Sequence, residues 1–157
     1  MIEPKFDMKL AFFDRKAVTD AVDAGTRRAM VRSLASYRER LISQFQFGEK
    51  PSKPGQSPRV RSQSRYANLR NVLFAYNHQT KTGVAGSIRL SKSREAVPGI
   101  LEHGGTVTIP GRAKRDGSRS ASRTVKIAKR PAASVALNKS VRGGDIVGPF
   151  RNSIRGT

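Results

Sequence analysis

Acid–base chemistry needs a titratable side chain beside a suitable partner, and this chain offers two histidines, His78 and His103. Glu102 precedes His103, but adjacent residues on a helix or strand point in different directions, so they do not form a positioned couple. A Ser/His/acid site can be drawn from Ser91, His103 and Glu102, yet no Gly-x-Ser-x-Gly nucleophile elbow surrounds a serine. The sequence therefore favours a protein without enzymatic activity, with a small hydrolase as a minor alternative.

Metal and cofactor binding are not indicated by the sequence either. The chain has no cysteine, and two distant histidines with scattered carboxylates provide no three- or four-ligand cluster. Gly104-Gly105 is not followed by the Gly-Lys-Ser/Thr of a phosphate loop, and Pro54-Gly55 lacks the strand-to-helix context of one. We expect these glycines to permit turns with positive φ, and we expect no cofactor and no metal.

Positive charge is the strongest compositional signal. The 157 residues include 31 Lys and Arg against 11 Asp and Glu, and the residues beyond Asp23 carry +21 while those up to Asp23 carry −1. Such a chain repels itself unless a polyanion or an acidic protein neutralises it, so nucleic acid is one expected partner.

Two basic segments are the candidate contacts: Arg59, Arg61 and Arg65 in the first, and Arg112, Lys114, Arg115, Arg119 and Arg123 in the second.

The type of partner stays open at this point. The second basic segment lacks the interleaved aromatic residues that stack on bases, so any nucleic-acid contact is expected to be independent of sequence. Contact with acidic protein neighbours is an equally weighted hypothesis. No run approaches the roughly 18–20 apolar residues of a membrane span, and the first residues lack the apolar core of a signal peptide, so we expect no membrane association.

The elements that must position these residues begin with a long helix. Apolar residues recur at steps of three and four from Val18 to Phe45, which predicts one helix over 14–46, with Arg15 to Gln44 as its core. Gly25 is expected to be a weak interior point of that helix. The length suits one domain over 1–157, in which residues 1–13 form an N-terminal arm.

The remainder predicts an α+β fold in which the long helix packs on an antiparallel β-sheet, with extended loops and a short C-terminal helix. Alternating residues flank Thr80-Lys81-Thr82-Gly83 as a hairpin, and Pro131 is expected at the start of the short helix. The predicted order is a basic Pro/Gly loop over 47–66, a sheet region over 67–142 and an extended C-terminal arm over 143–157. The sheet region contains a basic hairpin arm over 110–123 and the short helix.

Several short motifs occur in a familiar order. The long helix leads into Pro54-Gly55-Gln56-Ser57-Pro58, followed by Leu73-Phe74-Ala75-Tyr76, Val84-Ala85-Gly86, Pro98 to Thr106 with Glu102-His103-Gly104-Gly105, and Arg130-Pro131-Ala132-Ala133. This order resembles the lambda-type tail-completion or neck family, the small tail components of tailed bacteriophages. The resemblance covers most of residues 15–157.

The resemblance implies a structural virion protein without catalytic residues. It implies a homo-oligomeric ring, for example a hexamer or dodecamer, at the head–tail junction, connecting the portal and adaptor to the tail. Expected partners are other neck, connector and tail proteins and packaged DNA, and the expected location is the virion, after assembly in the host cytoplasm. Pro54, Gly55, Glu102, Gly104, Gly105, Arg130 and Pro131 are then assembly or structural positions.

Overall fold

A computed structural model of the chain describes residues 15–60, 69–87, 97–112, 117–151 and 153. The fold is α+β, as predicted, with the long N-terminal helix packed with short helices and antiparallel β-hairpins. The predicted single sheet is two separate two-stranded sheets. The elements are α1 (Arg15–Gln44), β1 (Val72–Asn77), β2 (Thr82–Ser87), α2 (Val97–His103), β3 (Gly105–Ile109), β4 (Arg123–Ile127), α3 (Ala133–Arg142) and α4 (Gly148–Arg151).

The buried face of α1 is narrower and less apolar than the periodicity predicts. Its buried residues are separated by four or eight positions, as Gly25, Ala29, Ser33 and Leu41, whereas Val18 near the N-terminal end is exposed. Small residues along one stripe let other backbone segments approach the helix closely. A Cβ atom on Gly25 would lie 2.6 Å from the carbonyl oxygen of Ser153, so Gly25 is also a site of close approach between α1 and the C-terminal segment.

The first hairpin, β1–β2, packs on α1. Val72 is paired with Ser87 and is buried in the core, and Phe74 and Tyr76 on the same face are half-buried. The guanidinium of Arg38 on α1 donates to the carbonyl oxygen of Val72 at 2.8 Å. Gly83 lies so close to α1 that a Cβ atom there would sit 2.6 Å from a methyl carbon of Leu34. The absence of a side chain at Gly83 therefore sets how closely β2 approaches the helix.

The second hairpin, β3–β4, has one apolar and one polar face. Val107 pairs with Val125 and Ile109 with Arg123, while Thr106 pairs with Lys126 on the opposite face. Of the predicted basic arm 110–123, residues 110–112 and 117–122 lie between β3 and β4, residues 113–116 lie outside the described residues, and Arg123 belongs to β4 itself. Past the strands, Ser120 and Arg112 exchange hydrogen bonds, including Ser120 N–H to the Arg112 carbonyl at 2.9 Å.

The C-terminal segment is not extended over its described residues, which corrects the prediction for 143–157. Its chain turns after α3 and folds back along α1, where the Ser33 hydroxyl donates to the carbonyl oxygen of Ile146 at 2.8 Å. Asp145 forms an ion pair with Arg40, and α4 follows. The small-residue stripe of α1 provides the close approach that makes this return favourable.

The core lies where α1, the first hairpin and α3 meet. It contains Leu41, Phe45, Val60, Leu69, Val72, Ala132 and Ala136. Val60 comes from the Pro/Gly segment, which was expected to be an extended loop with little to bury. Instead this segment closes on itself through a bridge between Phe47 and Val60, because Pro58 and Val60 supply apolar groups. Over the ranges that the structure describes, no helix is long and apolar enough to cross a membrane.

Candidate functional site: the base of the second hairpin

The motif positions singled out by the resemblance meet in space at the base of the second hairpin. They come from three distant parts of the chain, namely the Pro54-Gly55 loop, the end of α2 with Glu102 to Gly105, and the Lys129 to Pro131 segment before α3. We call this cluster, together with Ser52 and Ser57, the hairpin anchor. Hydrogen bonds join its three parts directly.

Glu102 forms the centre of the hairpin anchor by capping α3. Its Oε2 accepts hydrogen bonds from the backbone N–H groups of Ala132 at 2.8 Å and Ala133 at 3.0 Å, and its Oε1 accepts from Ser134 N–H at 2.8 Å. Ala132 occupies the N-cap position and its own side chain cannot accept such bonds. A carboxylate on α2 thus replaces a local cap and ties α2 to α3. Pro131 lies one residue before the cap rather than within the helix.

The electrostatics of Glu102 follow from this geometry. Burial raises the pKa of its carboxyl group, but hydrogen bonds from the Ser134 side chain and from the N–H groups of Ala132, Ser134 and Ala133 outweigh burial and lower the pKa to about 2. The group is therefore a carboxylate at neutral pH, with its two oxygens occupied by the start of α3. This state suits a structural cap and not a proton donor or acceptor.

Arg130 and the Pro54-Gly55 loop complete the hairpin anchor. Arg130 N–H donates to the carbonyl oxygen of Leu101 at 2.7 Å, and its side-chain Nε donates to the carbonyl oxygen of Ser52 at 3.1 Å. Gly55 N–H donates to the carbonyl oxygen of Lys129 at 2.9 Å, and the Ser57 hydroxyl donates to the carbonyl oxygen of Pro131 at 2.8 Å. Gly55 adopts a φ of 82°, which favours glycine. Pro54 is exposed beside this turn.

Two glycines allow the chain to pass from α2 into β3. Gly104 N–H donates to the carbonyl oxygen of Ile100 at 2.8 Å, and Gly104 has a φ of 77°, the left-handed conformation that commonly ends a helix. A Cβ atom on Gly104 would lie 3.2 Å from the backbone nitrogen of Lys129. Gly105 then begins β3 in an extended conformation opposite Ile127. The predicted role of Gly104 as a positive-φ turn is therefore confirmed.

The candidate basic contacts lie away from the hairpin anchor. Arg112 and Arg119 are exposed near the tip of the second hairpin, and Arg123 is exposed on β4. Arg59 is exposed on the Pro/Gly segment, where its side chain passes over Gly48. The remaining candidates, Arg61, Arg65, Lys114 and Arg115, lie outside the described residues.

Sequence reasoning missed Ser52 and Ser57 as members of the hairpin anchor. Their hydrogen-bond partners are more than 70 residues away along the chain, so no local pattern signals them. Of the hypothetical catalytic set, His103 is exposed and Glu102 binds the start of α3, while Ser91 lies outside the described residues. Within the described ranges, no three His, Cys, Asp or Glu side chains are close enough together to hold a metal ion.

Comparison of the chain with protein-family models, with curated proteins and with solved structures finds no match in any of the three.

Proposed function

We propose that this protein is a structural virion subunit of a tailed phage, a neck or tail-completion protein whose ring connects the portal and adaptor to the tail. The observation that carries the proposal is the hairpin anchor. The motif residues on which the resemblance rests are engaged with one another, through Glu102, Gly55 and Arg130, in bonds that fix one element relative to another. Motif residues with this arrangement support an architectural role.

The distribution of apolar groups supports an assembly role. Among the described residues, eight apolar residues are buried and three of them are alanines, whereas eleven large apolar side chains are exposed, including Leu73 and Val84 at 61% and 71%. A subunit that leaves so much apolar surface uncovered gains stability by packing against neighbours. The second hairpin extends from its anchor as a two-stranded unit, which is marginally stable alone and favours further contacts.

The test is the position of the chain in the assembled particle. Phage lacking the gene are expected to produce DNA-filled heads and separate tails, and wild-type protein supplied in trans should restore joined particles. A reconstruction of restored particles should show several copies in a ring between portal and tail. Virions that contain no trace of the chain by mass spectrometry would exclude this function.

A sequence-independent nucleic-acid-binding protein is the second candidate. It is favoured by the exposed arginines of the second hairpin, since no ion pair within the described residues engages Arg112, Arg119 or Arg123. Its affinity for duplex DNA should fall steeply with salt, and replacing these three arginines by alanine should reduce the salt dependence. The absence of binding to DNA or RNA at low salt would remove this candidate and leave the assembly role untouched.

A further inference from the structure

An uncharged groove runs beside β2, on the side away from β1. Its volume is about 370 Å³, and three consecutive β2 residues, Gly83, Val84 and Ala85, line it while no β1 residue does. This lining places the groove along the edge of the strand. Its other walls come from α1, α3 and the C-terminal segment, through Met30, Leu34, Tyr37, Leu137 and Ile146.

The edge of β2 that faces this groove is open. The sheet contains β1 and β2 only, and across the described ranges no third strand pairs with β2. An open edge presents unpaired N–H and C=O groups that accept an added strand, and an adjoining pocket then selects the side chains of that strand. No residue lining the groove is charged, so the face of the added strand that meets the groove is expected to be uncharged too.

A second copy of this chain offers such a strand. Two copies with a net charge of +20 each repel one another, which favours a contact through uncharged surfaces. β3, which is Gly-Thr-Val-Thr-Ile, carries no charge, whereas β4 carries Arg123 on the same face as its apolar residues. β1 is also uncharged, but its Val72 is already buried in the core of its own chain.

β3 has apolar side chains left to bury. Val107 is only half-buried and Ile109 is 37% exposed, both on the apolar face of the second hairpin. β3 has five residues and β2 has six, so the two can pair along their full lengths. The β-branched residues of β3 also favour a paired, half-covered strand.

We infer that β3 of one copy pairs with the open edge of β2 of the next copy and places apolar side chains in the groove, giving a four-stranded sheet across the subunit boundary. The inference rests on the proposed function, because it names the contact that builds the ring. Groove and strand are different surfaces of one chain, so the contact is head-to-tail, and repetition with a closing rotation produces a ring.

The test uses two variants that each damage one half of the contact. Val84→Glu places a charge at the groove, and Ile109→Glu places one on the strand, where it faces Arg123 within its own hairpin and can pair with it. Each variant alone is expected to sediment as a monomer in analytical ultracentrifugation. Their equimolar mixture should form a one-to-one dimer and nothing larger, because only one intact groove meets one intact strand.

Thr108→Glu, on the opposite face of β3, is the matched control and should assemble as the wild-type protein does. Circular dichroism should show folded protein for all three variants. Wild-type protein that stays monomeric, variants that assemble normally, or a mixture that stays monomeric would each overturn the inference. Normal assembly of the variants would do so while leaving a ring, and hence the proposed function, in place.

Cross-linking provides a measurement that does not depend on disruptive substitutions. The chain has no cysteine, so Val84→Cys and Ile109→Cys each introduce a unique thiol. A short bis-maleimide should join the two variants when they are mixed and should not join either one to itself. Glu49→Cys, exposed on the Pro/Gly segment, should yield no product with either. Products from one variant alone would indicate a symmetric contact and contradict the inference.

Discussion

The two hairpins have the same architecture but different support. The first, β1–β2, covers α1 with one face, and its Val72 belongs to the core. The second, β3–β4, has no buried residue in either strand and is held at its base by α2 and the hairpin anchor. One hairpin is therefore stabilised mainly by apolar burial and the other mainly by hydrogen bonds at its root.

Because of this difference, the stability of the apolar core and the direction of the second hairpin depend on different contacts. Burial is not directional, so the first hairpin gains stability from area removed from water. Hydrogen bonds and left-handed glycines impose geometry, so the hairpin anchor determines where β3 and β4 point. A protein that must present a strand to a neighbour needs both properties, in different places.

The largest effect is expected from a substitution in the apolar core. Leu41, 3% exposed in the core, and Leu73, 61% exposed on the outer face of the first hairpin, form a matched pair of leucines. Leu41→Ala should lower the free energy of unfolding by about 2–5 kcal/mol through lost transfer energy and a cavity. Leu73→Ala should change it by about 0.5 kcal/mol or less. Urea denaturation of both variants measures the contrast, and equal losses would contradict the assigned core.

A smaller effect is expected when the hairpin anchor is altered. Glu102→Gln should lower the free energy of unfolding by about 1–2 kcal/mol, because one amide oxygen cannot replace a carboxylate that accepts three N–H bonds. Amide exchange should rise at the start of α3 and in β3. Glu39→Gln, an exposed carboxylate beside Arg38, is the control and should leave exchange at α3 unchanged. Unaltered exchange at α3 in the Glu102 variant would refute the capping role.

The pH dependence sharpens the same comparison. The pKa of Glu102 is about 2 in the folded protein against an ordinary value of 4.5, so its stabilising effect is complete above pH 4.5 and is lost as the pH falls from 4.5 towards 2. The difference in unfolding free energy between wild type and Glu102→Gln should therefore be constant near neutral pH and shrink below pH 4.5. A difference that grows on acidification would show that the cap does not form.

The smallest effect is expected where the C-terminal segment returns to α1. Asp145→Asn removes the partner of Arg40, whose hydrogen bond and charge hold the pKa of Asp145 below its ordinary value. Because both side chains of the pair are partly exposed to solvent, the variant should show only a slight decrease in Tm, which added salt should diminish. Amide exchange should increase in α4 and not in β1. Asp20→Asn, whose exposed pair with Lys16 lies within α1, is the control.

The local elements were predictable from the sequence because their signals are local. Apolar spacing predicted α1, and alternation around Thr80 to Gly83 predicted the first hairpin. Gly104 was predictable as a turn because glycine follows a short apolar stretch. What the sequence could not supply was partnership between distant segments, such as the carboxylate of Glu102 with a helix that begins about 30 residues later.

Two further features could not be predicted for the same reason. The helix propensity of glycine gives the expected cost of Gly25 in α1, but the close approach of Ser153, a residue near the other end of the chain, has no local signal. The C-terminal segment was expected to be extended, yet Ser33 and Arg40 hold it against α1. Propensity describes a segment in isolation, and here tertiary contacts decide its conformation.

The ties at the root of the second hairpin have a mechanical consequence. Both legs are bonded to α2, one through Gly104 to Ile100 and the other through Arg130 to Leu101. A lateral load on the tip therefore acts as a torque on α2, and Glu102 transmits that torque to the first turn of α3. Force on the tip should strain the junction between α2 and α3 before it disturbs the apolar core. The short helix α2 is therefore the element about which the hairpin would turn.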